Sequence, residues 1–406
     1  MKYPASPIVI GIVVYTMLVL FFNQPISAQI QDQFGQDLQQ LLPLTPPKKD
    51  TAKLSIDPYS TNTFNNHIEL GLSVDPYTSS LAGQESPQLQ GIINRLGVNI
   101  QGDLPIVDKK LMIKLSYSPQ YENYNGAEGK LDEFDAFTDN SFTEVSYRPF
   151  SNSPEIALSH NIKRLKRILP VYNNTDRLIG LRFGRIIEYN LRIHRFDDVT
   201  ELKEDFLLIG STSHKGTTRL QFGLLNQMVG KMEYSIENAQ YQTNLNNLIL
   251  GISGLEDGEI RSDWRHGGSI KLLQTIAERL VFQEEFNLFL NHSNVDFFNF
   301  QSTEIALSTF YKIDTGNWFR IRLSRLWVGF EGRGIRDAEG AIMENAGNRS
   351  DKQFSVNTQV NWQFNDYLSF NLDYKYTYND SNQIDPLYSF LDYQHNIFSA
   401  TLRGSY

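Results

Sequence analysis

The sequence contains no cysteine. This excludes disulfides, thiolate metal sites, cysteine nucleophiles and a lipid-modified N-terminal cysteine. It also lacks an excess of positive charge. Lys and Arg number 37 against 46 Asp and Glu, a net charge of -9, which argues against nucleic acid as a partner. Long apolar runs are missing beyond the first residues, and mean hydropathy is -0.36. No later segment reaches the roughly 20 apolar residues of a spanning helix. No His pair has zinc-like spacing, and Gly267-Gly268 is not a phosphate loop, so no metal and no cofactor is expected.

The sequence is instead rich in aromatics, with 26 Phe and 20 Tyr. It begins with Lys2 and an apolar run from Ile8 to Phe22, followed by Pro25-Ile26-Ser27-Ala28. This pattern predicts a signal peptide over residues 1–28 with cleavage after Ala28. Residues 29–64 differ in composition from the rest of the chain. Gln29 to Leu42 is Gln-rich, and Pro43, Pro46 and Pro47 break regular structure. The segment reads as a periplasmic lead-in, a partial plug or a disordered linker.

From residue 65 to 406 the dominant period is two. In the first such stretch Ile68, Leu70, Leu72 and Val74 oppose His67, Glu69, Gly71, Ser73 and Asp75. Leu111, Ile113, Leu115 and Tyr117 oppose Lys110, Lys114, Ser116 and Ser118. Leu368, Phe370, Leu372, Tyr374, Tyr376 and Tyr378 oppose Ser369, Asn371, Asp373, Lys375 and Thr377. Successive side chains of a strand point to opposite faces, so each segment predicts a strand with one apolar and one wet face. The segments are long, as tilted membrane strands of about 9–11 residues require. Asn365-Asp366, Ala277-Glu278-Arg279 and Asp314 to Asn317 read as tight turns. Glu122 to Asn140, Gly332 to Asp351 and Asp380 to Asp392 read as long polar loops. Short turns on one rim and long loops on the other suit a membrane barrel.

The last strand carries Asn396, Phe398, Ala400, Leu402, Gly404 and Tyr406 on one face. Such an amphipathic, aromatic-ended strand resembles the C-terminal insertion signal of Gram-negative outer-membrane β-barrels, although the usual terminal Phe is replaced by Tyr406. The resemblance is to the porin-like class as a whole. It implies a transmembrane antiparallel up-and-down β-barrel, and counting strands back from Tyr406 gives about 16, within a range of roughly 14–18. It also implies bacterial outer-membrane location, contact with outer-membrane lipid and lipopolysaccharide, recognition by the barrel-insertion machinery, and a homotrimer as one assembly.

If the apolar face meets lipid, the polar face lines a lumen. The stretch Arg177 to Arg195, read as one strand, directs Arg182, Glu188, Asn190, Arg192 and His194 inward. Arg320, Arg322 and Lys114 project similarly. These arginines either set a field that selects anionic solutes or pair with acids to fill a wet interior. Lys110, Lys231, Glu233, Glu237, Asp373 and Lys375 add lumen candidates of both signs. Arg185 and Glu284 fall on apolar faces, where an Arg costs about 2–4 kcal/mol at the bilayer midplane and about 0–1 near an interface. They are therefore expected near a rim, at a bulge or in a subunit contact. A bulge near Ser324-Arg325 is expected to restore the alternation of that strand. The acidic group Glu128, Asp132, Glu133, Asp135 and Asp139 reads as a solvated loop. Outer-membrane lipases and deacylases place a His and a Ser two residues apart on one strand face. None of the seven histidines has such a serine, so no catalytic residue is assigned. The expected function is passive diffusion of small polar solutes. The alternatives are a non-conducting barrel acting as surface receptor, adhesin or export accessory, and last an outer-membrane lipid hydrolase.

Overall fold

The computed structural model describes residues 53–68, 89–107, 110–126, 135–150, 153–167, 173–196, 210–225, 227–241, 261–335, 342–343, 346–382 and 392–404. The signal-peptide segment, most of the 29–64 lead-in and Tyr406 lie outside them. The strands are β1 (Lys53–Ile68), β2 (Leu89–Val107), β3 (Leu111–Gly126), β4 (Ala136–Tyr147), β5 (Ile156–Arg167), β6 (Asn174–Phe183), β7 (Ile187–Phe196) and β8 (Ser211–Leu225). They continue as β9 (Met228–Tyr241), β10 (Ser262–Ala277), β11 (Leu280–Ser293), β12 (Phe300–Lys312), β13 (Trp318–Gly334), β14 (Asn348–Asn365), β15 (Leu368–Ser381) and β16 (Tyr393–Gly404). Each strand pairs with its sequence neighbours, and β16 pairs with β1 to close the barrel. All pairings are antiparallel. The expected barrel of about 16 strands is the one observed.

The two rims differ. Tight connections join β2 to β3, β6 to β7, β8 to β9, β10 to β11 and β14 to β15. They share a rim with the start of β1 and the end of β16. Long connections follow β1, β3, β7, β9, β13 and β15 on the opposite rim. Register shifts at Pro105/Val107, Gly223/Leu225, Thr275/Ala277 and Gln363/Asn365 all sit beside short-rim turns. There an extra residue tightens the hairpin twist.

The outer wall is apolar. Leu96, Leu158, Leu181, Leu220, Leu307 and Leu402 are all exposed on it. In a closed barrel, apolar side chains left this bare have only lipid to cover them. The wall facing inward is built mainly from Ser, Thr, Asn, Gln and charged residues, as the alternation predicts.

Four expectations are corrected. The barrel begins at Lys53, not near residue 65, and the first alternating stretch, 67–75, runs past β1 out of the described residues. Pro58 and a polar run from Tyr59 to Thr63 obscure this strand. Pairing with β16 covers Tyr59–Asn65, so Pro58 lies outside it and withholds no N–H from that partner. Arg177 to Arg195 is two strands, not one. Gly184, with φ +59°, turns the chain, and Phe183 pairs with Ile187. The residue count in the turn preserves parity, so the alternation passes through the hairpin unbroken.

Third, no bulge exists at Ser324-Arg325. The pairing of β13 runs unbroken from Trp318 to Phe330. The apolar residues change face instead: Arg325 points outward, 5.9 Å over the Trp327 ring, while Val328 and Phe330 are buried inward. Fourth, the two ends of the 122–140 loop are strand, in β3 to Gly126 and in β4 from Ala136, while Glu128, Asp132 and Glu133 lie outside the described residues. Asp139 lies in β4, 3.9 Å from Arg164, and Lys110 belongs to a turn. Asp135 is buried and accepts hydrogen bonds from Tyr121 Oη, Asn123 Nδ2 and the Tyr124 amide at 2.9, 2.9 and 2.7 Å. Arg185 sits in the short-rim turn, as the cost of a lipid-facing charge requires.

Candidate functional site: the inner wall and its outer mouth

Alternation aims Lys114, Arg182, Glu188, Arg192, Arg320 and Arg322 inward, and register decides whom they meet. Lys114 faces Glu144 across β3 and β4, with Nζ 3.5 Å from Oε1. Arg182 reaches the same carboxylate at 3.2 Å and Glu155 at 3.0 Å. Lys114 and Arg182 are thus joined through one acid. Glu188 pairs with Arg219, which also holds Glu233 at 2.7 Å. Arg192 forms a fork on Asp176, at 2.7 Å for its closest contact. On the far side, Arg322 lies between Glu285 and Glu304 at 3.3 and 3.0 Å, and Lys271 adds a contact to Glu285 at 3.2 Å. Arg320 donates to Gln359 Oε1 at 3.5 Å, and Gln359 in turn donates to Asp373. The inner wall therefore carries mixed-sign ladders, with cations largely neutralised by cross-strand acids. The most exposed of these pairs, Arg219 with Glu233, contributes little stability, about 0–1 kcal/mol. The effect of the ladders is on local field and on hydration.

The acids Glu144, Glu155, Asp176, Glu285 and Glu304 escape a reading of single strands. Their position relative to the arginines depends on inter-strand stagger, which no single segment encodes.

The long-rim mouth is organised differently. At the head of β10, Arg261 Nε and Nη2 grip Asp263 at 3.0 and 2.6 Å. At the head of β14, Arg349 grips Asp351 at 3.0 and 2.5 Å. Both are Arg-Ser-Asp triplets, and residues two apart on a strand share a face. The following strand of each pair ends in Asn-x-Ser-Asn: Asn291 to Asn294, and Asn379 to Asn382. The Ser262 amide donates to Asn294 Oδ1 at 2.8 Å, and the Ser350 amide donates to Asn382 Oδ1 at 2.7 Å. Ser293 hydrogen-bonds Asp263, and Ser381 Oγ donates to Asp351 Oδ1 at 2.7 Å. The preceding strand supplies a ring in each case. Arg261 lies 4.2 Å over Tyr241, and Arg349 lies 4.7 Å over Phe330. One three-strand clasp is thus built twice, four strands apart.

The first clasp also holds the connection from β11 to β12. Its 3₁₀ turn, Asp296–Phe298, folds against the inward side of β13. Asn291 Nδ2 donates to the Phe298 carbonyl at 2.7 Å, and Arg333 Nε donates to the Phe297 carbonyl at 3.0 Å. Arg261 stacks 3.5 Å over Phe298. Gly332 is required here: a Cβ at this position would lie 2.2 Å from the Asp296 carbonyl carbon. Behind the turn, Phe300, Val328 and Phe330 form an apolar cluster with Phe289 and Leu326.

His292 and Ser293 lie on opposite faces of β11, as do Ser213 and His214 on β8. His214 Nδ1 is instead hydrogen-bonded to Tyr189 Oη at 2.6 Å, on the outer wall.

No family model matches the chain, and no curated protein matches it. Solved outer-membrane proteins resemble it in outline. OprD from Pseudomonas aeruginosa is 10% identical over 87% of this chain and 93% of that chain, with a TM-score of 0.42. OccK1 (OpdK) from Pseudomonas aeruginosa is 8% identical over 87% and 99%, at 0.41. A loop L8 deletion mutant of OmpT, an outer membrane protein of Vibrio cholerae, is 7% identical over 88% and 100%, at 0.44. No residue role follows from likenesses this distant. The chain's own strand order and register make it a closed, all-antiparallel β-barrel of 16 strands.

Proposed function

We propose that this protein is an outer-membrane channel for passive diffusion of small polar solutes. The observation that carries the reading is the inner wall, where polar residues and mixed-sign ion pairs recur on every side of a closed barrel. Such a surface is stable against water and costly against lipid. Neutralised ladders favour weak charge preference over strict anion selection. The same reading includes export with cleavage after Ala28, insertion through the C-terminal strand, contact with lipopolysaccharide, and a homotrimer as one assembly.

Planar-bilayer recording of the purified, folded chain tests it. Discrete conductance steps are expected, and Arg322→Ala, which removes a cation that contacts both Glu285 and Glu304, shifts the reversal potential toward cations. Folded protein that passes no current sinks the channel reading. That outcome favours the second reading, a closed barrel serving as surface receptor, adhesin or export accessory. The observation on its side is the 3₁₀ turn and phenylalanine cluster folded into the long-rim mouth.

A further inference from the structure

We propose that the outward face of β5, β6 and β7, close to the long rim, binds the phosphate groups of an anionic outer-leaflet glycolipid. The site is separate from the lumen; it rests on the outer-membrane part of the proposed function and not on whether the barrel conducts.

The patch follows from register. Arg164 lies opposite Thr175, which lies opposite Arg195, so one outward row crosses three strands. Lys166 is the next outward position on β5 toward the long rim, and Arg177 the next on β6 away from it. All four cations are exposed. Directly opposed Cβ atoms stand about 4.5–5.5 Å apart and diagonal neighbours about 7–8 Å. Arg164 and Arg195 are thus two strand spacings apart, roughly 10 Å, with Lys166 and Arg177 on either side of their row, so the four charges form a strip that matches a headgroup carrying two phosphates.

Two features point to a ligand. Like charges on adjacent outward positions repel one another, and a sheet ordinarily opposes them with acids. The inward face of these strands does so: Arg192 grips Asp176. Among the described residues, the patch's ion pair is Arg164 with Asp139, at 3.9 Å, and it leaves the patch net positive. Second, the same face turns apolar toward the short rim, where Leu158, Ile179 and Leu181 are exposed. A ligand that satisfies both halves is an amphiphile lying along the wall, with acyl chains on the leucines and isoleucine and phosphates on the guanidinium groups. Arg forks match phosphate geometry and form strong charge-assisted hydrogen bonds. Elsewhere near the long rim the outward wall differs. It offers exposed rings such as Trp264, Trp327 and Tyr378, and Lys352 is directly opposed by Asp380.

The test is native mass spectrometry of the folded full chain in detergent, with bis-phosphorylated lipid A as the probe. Saturable binding is expected. It weakens at least tenfold in the variant Arg164→Gln, Lys166→Gln, Arg177→Gln, Arg195→Gln, and at least tenfold when the lipid A is dephosphorylated. Lys352→Gln leaves affinity unchanged, and inorganic phosphate alone does not bind. Equal binding by the fourfold variant overturns the proposal, as does equal binding of the dephosphorylated probe. An equal loss from Lys352→Gln means general charge attraction and also overturns it. Binding of inorganic phosphate with the affinity of the lipid replaces the membrane ligand by a soluble one and overturns the lipid assignment. If the fourfold variant fails to give a heat-modifiable band, Arg177→Gln with Arg195→Gln serves instead. A loss of at least threefold is then expected, and unchanged affinity counts against the site.

Discussion

The two Arg-Ser-Asp clasps share their chemistry and differ in what they close over. At β10 the pair is sealed, with Arg261 at 1% and Asp263 at 0% exposure. At β14 the pair is slightly open, with Arg349 at 7% and Asp351 at 8%. The difference comes from the β11 to β12 connection, which lays Phe298 on the first guanidinium. The same local motif is thus buried in both places, and fully sealed only where the turn covers it. Burial, rather than bond length, sets how much each clasp matters, because desolvation makes a broken pair costly.

The sharpest way to break this comparison is to remove the acids. Asp263→Ala leaves Arg261 buried and uncompensated and is expected to destabilise the barrel by about 3–5 kcal/mol. Asp351→Ala leaves an arginine that is buried but less completely sealed, and a smaller loss of about 1–3 kcal/mol is expected. Urea midpoints followed by heat-modifiable gel mobility measure both; equal losses would refute the role assigned to the turn. A second test removes the turn instead of the ion. Gly332→Val forces a side chain onto the Asp296 carbonyl and is expected to cost about 1–3 kcal/mol by overpacking. It should displace the turn and raise conductance. Gly329, with open space around its missing Cβ, is the control, and Gly329→Val should leave conductance unchanged. The smallest effect is expected from the asparagines. Asn294→Ala and Asn382→Ala each remove one hydrogen bond to a strand-head amide. Each of these bonds should contribute about 0.5–1.5 kcal/mol because both lie at the exposed edge, and Asn382→Ala also removes the bond from Asn382 Nδ2 to the Asn348 carbonyl at 3.1 Å.

Most of the barrel was legible because alternation is a local signal. Leu111 to Tyr117 and Leu368 to Tyr378 state their own faces, and so do the inward positions of Lys114, Arg182, Glu188, Arg192, Arg320 and Arg322. What was illegible depended on something other than alternation. The turn at Gly184 hides because its length keeps the period in step across the hairpin. β1 hides because Pro58 and the polar run after it weaken the period. At Arg325 a broken pattern invited a bulge, but the strand stays straight and its apolar residues pack inward on Phe300. The clasps hide for a different reason. Arg-Ser-Asp and Asn-x-Ser-Asn look like ordinary turn composition until register places one beside the other.

The join between β1 and β16 bears on how the molecule comes into being. It is a run of seven residue pairs, Tyr59 to Asn65 against Ile397 to Arg403. Thr61 meets Thr401 at 2.8 Å and Thr63 meets Ser399 at 3.0 Å. Every other pair of neighbouring strands can form while the chain is still being delivered, since their partners are adjacent in sequence. This one waits for β16, the last strand of the barrel, so for most of its assembly the sheet carries two unsatisfied edges. Contacts of such separation form late and slowly, and open edges invite pairing with other chains. A short, threonine-lined join is therefore where the timing of the whole structure is decided.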